Sequence, residues 1–148
     1  MQNRRRLIHT LGLLLVVGLP AAGAWARQRS AEHCALDGGV LESSTQVRTV
    51  DSQGESLRFC CIQCAEVWRL RNPSAFRATY VTDEATLREV AAESAFFVRS
   101  SVVTNRLTGN RIHAFASETD ARRHAGDFRG SMLLGVDRPL QDAAMERR

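Results

Sequence analysis

The chain has 148 residues, 44% of them hydrophobic and 6% aromatic, and its formal net charge is +4. All twenty basic residues are Arg; three of them lie within the first 26 residues and all sixteen acidic residues lie beyond, so the remainder carries only about +1. This weak charge, with no Arg run interleaved with aromatic side chains, excludes nucleic acid as a partner. The length predicts one compact domain or two very small units that share a core.

The first 26 residues have the composition of a signal peptide. Three Arg at positions 4–6 precede an apolar run over 7–20, and Ala24-Trp25-Ala26 has the small-x-small pattern that signal peptidase cleaves. The apolar core is shorter than the roughly 20 residues of a permanent membrane span. We therefore expect a mature periplasmic chain that begins at Arg27, with an uncleaved membrane anchor as the alternative. The basic cluster fits a twin-arginine signal as well as a Sec signal.

The first half of the mature chain predicts the order strand, strand, helix, strand. Alternating apolar and polar residues predict strands over 45–50 and 56–60, joined as a hairpin by a turn that contains Gly54. Residues 62–71 predict a helix that ends before an Asn-Pro pair. Residues 76–82 alternate again and predict the third strand.

The second half predicts the same order. Strands are expected over 92–99 and 111–115, followed by a helix over 118–127 with Ser117 as its N-cap. Residues 131–136 predict the closing strand.

Together these elements predict an α+β fold in which two small strand-strand-helix-strand units pack as one compact protein. The expected organisation is a signal peptide over 1–26, a cysteine-bearing first unit over 27–80, a second unit over 81–137 and a flexible tail over 138–148.

All four cysteines lie in the first unit, Cys34 in a glycine-rich turn and Cys60, Cys61 and Cys64 at the junction of the second strand and the helix. Free N–H groups and the helix dipole favour negative charge in the first helical turn, so Cys64 is expected to have the lowest pKa and the thiolates to be partly exposed. Consecutive strand residues point to opposite faces, so only one of Cys60 and Cys61 can readily face Cys64, and Cys60 is favoured.

Two or three converging thiolates suit Cu(I), and also Zn(II). The predicted metal ligands are the four cysteines and the neighbouring His33, although a lone histidine in a turn is more often solvated. The alternative is two disulfides that stabilise a small exported interaction domain without metal, since four cysteines are an even number. A thiol-disulfide oxidoreductase that uses Cys61-x-x-Cys64 is a further alternative.

Three other residues with metal-binding chemistry are interpreted mainly as structural. His113 lies in a predicted strand and can belong to a core or a site, and Met132 in the closing strand is expected to pack. His124 follows two Arg on the second helix, which predicts a solvated face.

Four segments of the second half carry a recognisable pattern in a fixed order: Val81-Thr82-Asp83, residues 90–98, Ala114-Phe115-Ala116-Ser117 with Asp120-Ala121, and Gly130-Ser131-Met132-Leu133. In this order they resemble the NosL family, accessory proteins of nitrous oxide reductase. The first half, from Cys34 through residues 59–64, is similar to the cysteine pattern of TRASH-like metal-trafficking modules and to the cysteine-bearing first unit of NosL relatives.

The resemblance implies a paired strand-strand-helix-strand fold, a location outside the cytoplasm and delivery of Cu(I) to a recipient copper enzyme such as nitrous oxide reductase. The family typically has a lipobox Cys near the mature start and a Pro-Met-Gly whose Met serves copper. Here residues 104–109 contain no Met, which implies a divergent member that binds mostly through thiolates. The predicted function is a periplasmic metallochaperone, not an enzyme.

Overall fold

The computed structural model describes residues 33–73 and 76–133. The predicted signal peptide, the flexible tail and the last three residues of the predicted closing strand lie outside the described residues. In chain order the elements are β1 Val47–Val50, β2 Ser56–Phe59, α1 Ile62–Arg71, β3 Ala78–Thr82, β4 Glu89–Ala91, a 3-10 turn Ala92–Ser94, β5 Phe96–Arg99, β6 Ile112–Phe115, α2 Glu118–Asp127 and β7 Ser131–Leu133.

The first sheet is antiparallel and has the strand order β2-β1-β3-β4. Strand β1, one of its two inner strands, alternates as expected, with Val47 and Thr49 buried and the residues after them half-buried. Val47 pairs with Phe59 on one side and with Val81 on the other. These buried side chains form one continuous core with the cysteines and with Phe97 of the second sheet.

Helix α1 starts directly after β2 and buries its first half. Ile62–Glu66 is buried, whereas the end of the helix is exposed and carries Arg69 and Arg71, whose charge favours the negative end of the helix dipole. The carboxylate of buried Glu66 is paired with the Arg69 guanidinium through a bidentate hydrogen bond, with nitrogen–oxygen distances of 2.6 and 2.8 Å. The side chain of Asn72 closes the helix by donating to the Trp68 carbonyl at 2.9 Å.

The second sheet is antiparallel with the order β6-β5-β7, and α2 packs on it. As predicted, Ser117 is the N-cap, and its side chain accepts from the backbone N–H of Asp120. Val98, Phe115 and Ala121 form the core between this sheet and α2. The α+β class is confirmed. Among the described residues, no helix combines the length and the hydropathy needed to cross a membrane.

The predicted strand over 92–99 is wrong in its first half. Three residues, Ala92–Ser94, form a 3-10 turn, and a short strand that was not predicted, Glu89–Ala91, precedes it. The reason is a change of partner: β4 pairs with β3 of the first sheet, whereas β5 pairs with β6 and β7 of the second. The backbone therefore leaves the extended conformation at this turn, where the chain passes from the first sheet to the second. The first sheet thus continues to Ala91.

Candidate metal centre

Three cysteines and one carboxylate converge where the glycine-rich turn meets the junction of β2 and α1. One ligand atom from each residue lies within 4.8 Å of the other three, and the residues are Cys34, Asp37, Cys60 and Cys64. The Sγ atoms of Cys60 and Cys64 are 3.5 Å apart. Asp37 Oδ2 lies 3.3 Å from Cys64 Sγ and 3.8 Å from Cys60 Sγ. All four cysteines of the chain are free thiols in the structure.

Backbone hydrogen bonds hold the glycine-rich turn beside β2. The Cys34 N–H donates to the Gly39 carbonyl at 2.7 Å, and the Gly38 N–H donates to the Cys34 carbonyl at 2.8 Å. Gly38 has φ of +71°, a left-handed conformation that glycine adopts without strain. The Ala35 N–H donates to the Arg58 carbonyl of β2 at 2.8 Å. This last bond places Cys34 next to the residues that follow β2.

The junction itself places the other two sulfur atoms. Cys60 follows the last residue of β2, and its carbonyl accepts a hydrogen bond from the Thr45 hydroxyl at 2.9 Å. Cys61 is the N-cap of α1, with extended backbone, and Cys64 lies in the first helical turn. The Cys64 side chain thus reaches back towards Cys60 across the start of the helix.

Asp37 is a site residue that the sequence analysis missed. Its Oδ1 accepts from the Gly39 N–H at 2.9 Å, which leaves Oδ2 directed at the sulfur atoms. The side chain is exposed, whereas the three cysteines of the cluster are at most 3% exposed. The available signal was the Asp-Gly-Gly turn three residues after Cys34.

Two predicted ligands lie beside the cluster. Cys61 is fully buried, its Sγ lies 4.0 Å from Cys60 Sγ, and it contacts the Thr108 hydroxyl at 3.4 Å. His33 is half-buried and forms a backbone bridge with Val40. Within the described part of the chain, neither belongs to the group of converging ligand atoms.

The protonation of the cluster differs from the prediction in two respects. The cysteines are buried, not partly exposed, and the pKa of Cys64 is raised, because it hydrogen-bonds Cys34, Cys60 and Cys61 as a thiol and because it is desolvated. Cys60 also has a raised pKa, principally through its hydrogen bond with Cys34. Hydrogen bonds from neighbouring thiols instead lower the pKa of Cys34, and lower that of Cys61 to about 3. The prediction that Cys64 has the lowest pKa is wrong, because partner thiols outweigh its helical position.

A second polar network lies in the other half of the protein. His113 is 1% exposed, and its ring nitrogens lie 2.9 Å from Glu84 Oε2 and 2.9 Å from Ser100 Oγ. His124 Nε2 is 3.2 Å from the same hydroxyl, and its ring centroid is 4.1 Å from that of His113. His124 is thus half-buried, and the prediction of a solvated face is wrong. Met132 packs against the core of the second sheet, as expected.

Comparison with known proteins supports the fold of this chain. No family model matches the sequence, and no curated protein matches it. The structure is similar to the crystal structure of the copper chaperone NosL from Shewanella denitrificans, with a TM-score of 0.61 over 70% of this chain and 87% of that chain. The two sequences are 19% identical, so the likeness shows a common fold. The NosL-like fold expected from the sequence is confirmed.

Proposed function

We propose that this protein is an exported Cu(I)-binding accessory protein that holds copper through Cys34, Cys60 and Cys64 and delivers it to a recipient copper enzyme. The observation that carries the proposal is the convergence of three sulfur atoms and one carboxylate oxygen within 4.8 Å of one another. Nitrous oxide reductase is the proposed recipient, on the strength of the sequence resemblance, and the periplasm is the proposed compartment.

The spacing of the ligand atoms supports metal binding with little rearrangement. With metal–sulfur bonds of about 2.3 Å, two sulfur ligands of one tetrahedral ion lie about 3.8 Å apart, and a sulfur and an oxygen about 3.5 Å apart. The observed separations are 3.5 Å between Cys60 and Cys64 and 3.3 Å between Cys64 and Asp37. An ion that enters the cluster replaces thiol protons and keeps the side-chain arrangement.

The chemistry of the donors favours Cu(I). Thiolate is a soft ligand, and soft ligands select Cu(I) over harder ions such as Mg(II) or Mn(II). The three sulfur atoms are buried, which protects a bound ion from water. The solved structure with the similar fold is a copper chaperone, which agrees with copper as the cargo.

Competition with a chromogenic Cu(I) chelator tests this proposal. Reduced mature protein is expected to take up about one Cu(I). The triple variant in which Cys34, Cys60 and Cys64 become Ser is expected to lose more than about 100-fold in Cu(I) affinity, because even residues that only hydrogen-bond the ligands contribute about 10–100-fold. Cys61→Ser is the matched control, because its sulfur is equally buried but lies outside the group; as a neighbour of the ligand Cys60 it should lose at most about 10–100-fold, and less than the triple variant. Unchanged affinity in the triple variant contradicts the proposal.

One observation favours the second candidate, a disulfide-stabilised interaction domain. The Sγ atoms of Cys60 and Cys64 are 3.5 Å apart, so that a small movement would bring them to bonding distance. Protein purified anaerobically from the periplasm distinguishes the two. Bound copper, and four thiols that titrate once the copper has been removed by a chelator, support the chaperone, whereas two or no thiols and no metal support the disulfide-stabilised domain.

A further inference from the structure

The four residues of the cluster are unequally accessible. The sulfur atoms of Cys34, Cys60 and Cys64 belong to side chains that are 3%, 1% and 0% exposed. Of the four residues, Asp37 alone is exposed. A molecule that approaches a metal ion in this cluster therefore meets the carboxylate before it meets a thiolate.

The carboxylate is held in place by the turn. Its Oδ1 accepts from the Gly39 N–H at 2.9 Å, and Gly39 is in turn held by the hydrogen bond of its carbonyl to the Cys34 N–H at 2.7 Å. With one oxygen fixed in this way, Oδ2 is directed at Cys64 and Cys60, at 3.3 and 3.8 Å. Coordination through Oδ2 then costs little side-chain entropy, because the rotamer is already selected.

The two metal ions that suit this site, Zn(II) and Cu(I), differ in their affinity for a carboxylate oxygen. Zn(II) is held by four ligands in tetrahedral geometry and accepts Asp oxygen at about 2.0–2.2 Å. Cu(I) is selected by soft thiolates, whereas carboxylates suit harder ions. The same four residues thus offer a complete tetrahedral site to a divalent ion and a three-thiolate site to Cu(I).

We propose that Asp37 determines the metal preference of the site: it coordinates a divalent ion as the fourth ligand and stays uncoordinated when Cu(I) is bound. This inference rests on the proposed function, because it assumes that the cluster binds Cu(I). The position that Asp37 vacates in the Cu(I) form lies at the exposed edge of the cluster. It is there that a soft ligand of a recipient protein can add to Cu(I) before a cysteine thiolate leaves, with no change in the oxidation state of copper.

Cobalt(II), as a spectroscopic substitute for Zn(II), tests the inference on the reduced mature protein. The variant Asp37→Asn keeps an oxygen that can accept from the Gly39 N–H but removes the carboxylate. We expect a loss of Co(II) and Zn(II) affinity of about 10-fold or more and a weaker, altered tetrahedral d–d absorption of Co(II), with Cu(I) affinity unchanged within about 3-fold.

A matched control is the substitution Asp51→Asn, since Asp51 Oδ1 likewise accepts backbone N–H groups of its own turn, at 2.8 and 2.9 Å, but lies outside the cluster. It should change neither metal affinity. Equal losses of Co(II) and Cu(I) in Asp37→Asn would overturn the inference and leave Asp37 only a role in holding the turn, and an unchanged Co(II) spectrum would overturn it as well. Failure of the wild-type protein to bind Cu(I) would instead refute the proposed function.

Discussion

Neighbouring cysteines have distinct environments in this protein. Cys60 faces Cys64 and Asp37, whereas Cys61 contacts Thr108 on the loop that precedes β6. The two sulfur atoms are only 4.0 Å apart, but that of Cys60 alone lies within the group of converging ligand atoms. The Cys-Cys pair thus supplies one sulfur to the cluster and one to the packing around it.

At the residue scale, the histidine network predicts a pH dependence of stability. Burial, and secondly the nearby His113, lower the pKa of His124 from 6.5, with Glu84 and Asp127 acting in the opposite direction. The unfolded chain then binds a proton more readily than the folded one as pH falls through about 6.5, so the free energy of unfolding decreases and levels off below the folded-state pKa.

His124→Gln should therefore reduce the loss of stability between pH 7.5 and pH 5. Urea unfolding of the reduced apo forms of the wild type and the variant, at both pH values, measures this difference. Equal changes in the free energy of unfolding would show that the depressed pKa of His124 does not contribute.

Within the second sheet, stability depends on close approach between α2, β5 and the segment that joins α2 to β7. Gly130 lies in that segment, and a Cβ built on it would be 2.8 Å from the Arg99 carbonyl oxygen and 2.9 Å from Val98 Cγ1. Gly126 lies within α2, and a Cβ there would meet no atom within 4 Å. The structure therefore has room for a Cβ at Gly126 but not at Gly130.

At the element scale, this difference predicts opposite effects of the same substitution. Gly130→Ala should destabilise the protein by about 1–3 kcal/mol, because the backbone at residue 130 and strand β5 must move apart to make room for the methyl group. Gly126→Ala should stabilise it by about 0.5–1 kcal/mol, because alanine loses less backbone entropy in a helix. Urea unfolding of both variants measures the two signs, and destabilisation by both would contradict the argument.

On the scale of the whole molecule, the cluster of three cysteines and Asp37 connects parts of the chain that are distant in sequence. Cys34 and Asp37 come from the glycine-rich turn, Cys60 from the end of β2 and Cys64 from α1. These sulfur atoms also belong to the main hydrophobic core. An ion held by all four residues requires the folded chain, whereas the unfolded chain keeps only the local cysteines between Cys60 and Cys64 as a weaker binding site.

Copper should therefore stabilise the reduced protein as a whole. At a free Cu(I) concentration of 100 times Kd, selective binding to the folded state contributes about 2.7 kcal/mol, which for a domain of this size raises Tm by roughly 10 °C. Reduction alone should lower stability only modestly. Differential scanning fluorimetry with and without reductant and Cu(I) measures both effects. A loss of about 2–5 kcal/mol on reduction, not restored by Cu(I), would instead support the disulfide-stabilised domain.

Export is a further prediction for the whole molecule. Cleavage after Ala26 should give a mature chain that begins at Arg27 without attached lipid, because the basic, apolar and small-residue segments occur in the order of a signal peptide. Intact-mass analysis of protein from the periplasm determines the N-terminus. The full-length chain in the membrane fraction would favour the uncleaved anchor.

The sequence by itself determined the elements whose signals are local. Helices over 62–71 and 118–127 were predicted with the bounds that the structure shows, because an Asn-Pro stop and a Ser117 cap act within one turn of the backbone. The hairpin of β1 and β2 follows from alternation and a glycine turn. Strand geometry predicts only that Cys60 and Cys61 differ in environment, and the fold decides that Cys60 joins the cluster.

Only the tertiary structure decided the features that depend on distant contacts. Strand β4 forms because it pairs with the edge of β3. Its three residues are too few for an alternating sequence pattern that would predict this pairing. Asp37 becomes a site residue only because the Ala35–Arg58 hydrogen bond folds its turn against β2. The protonation of Cys64 depends on thiols that the fold brings to it. A local sequence pattern specifies backbone conformation, but a hydrogen-bond partner or a shared ligand position is set by which surfaces pack together.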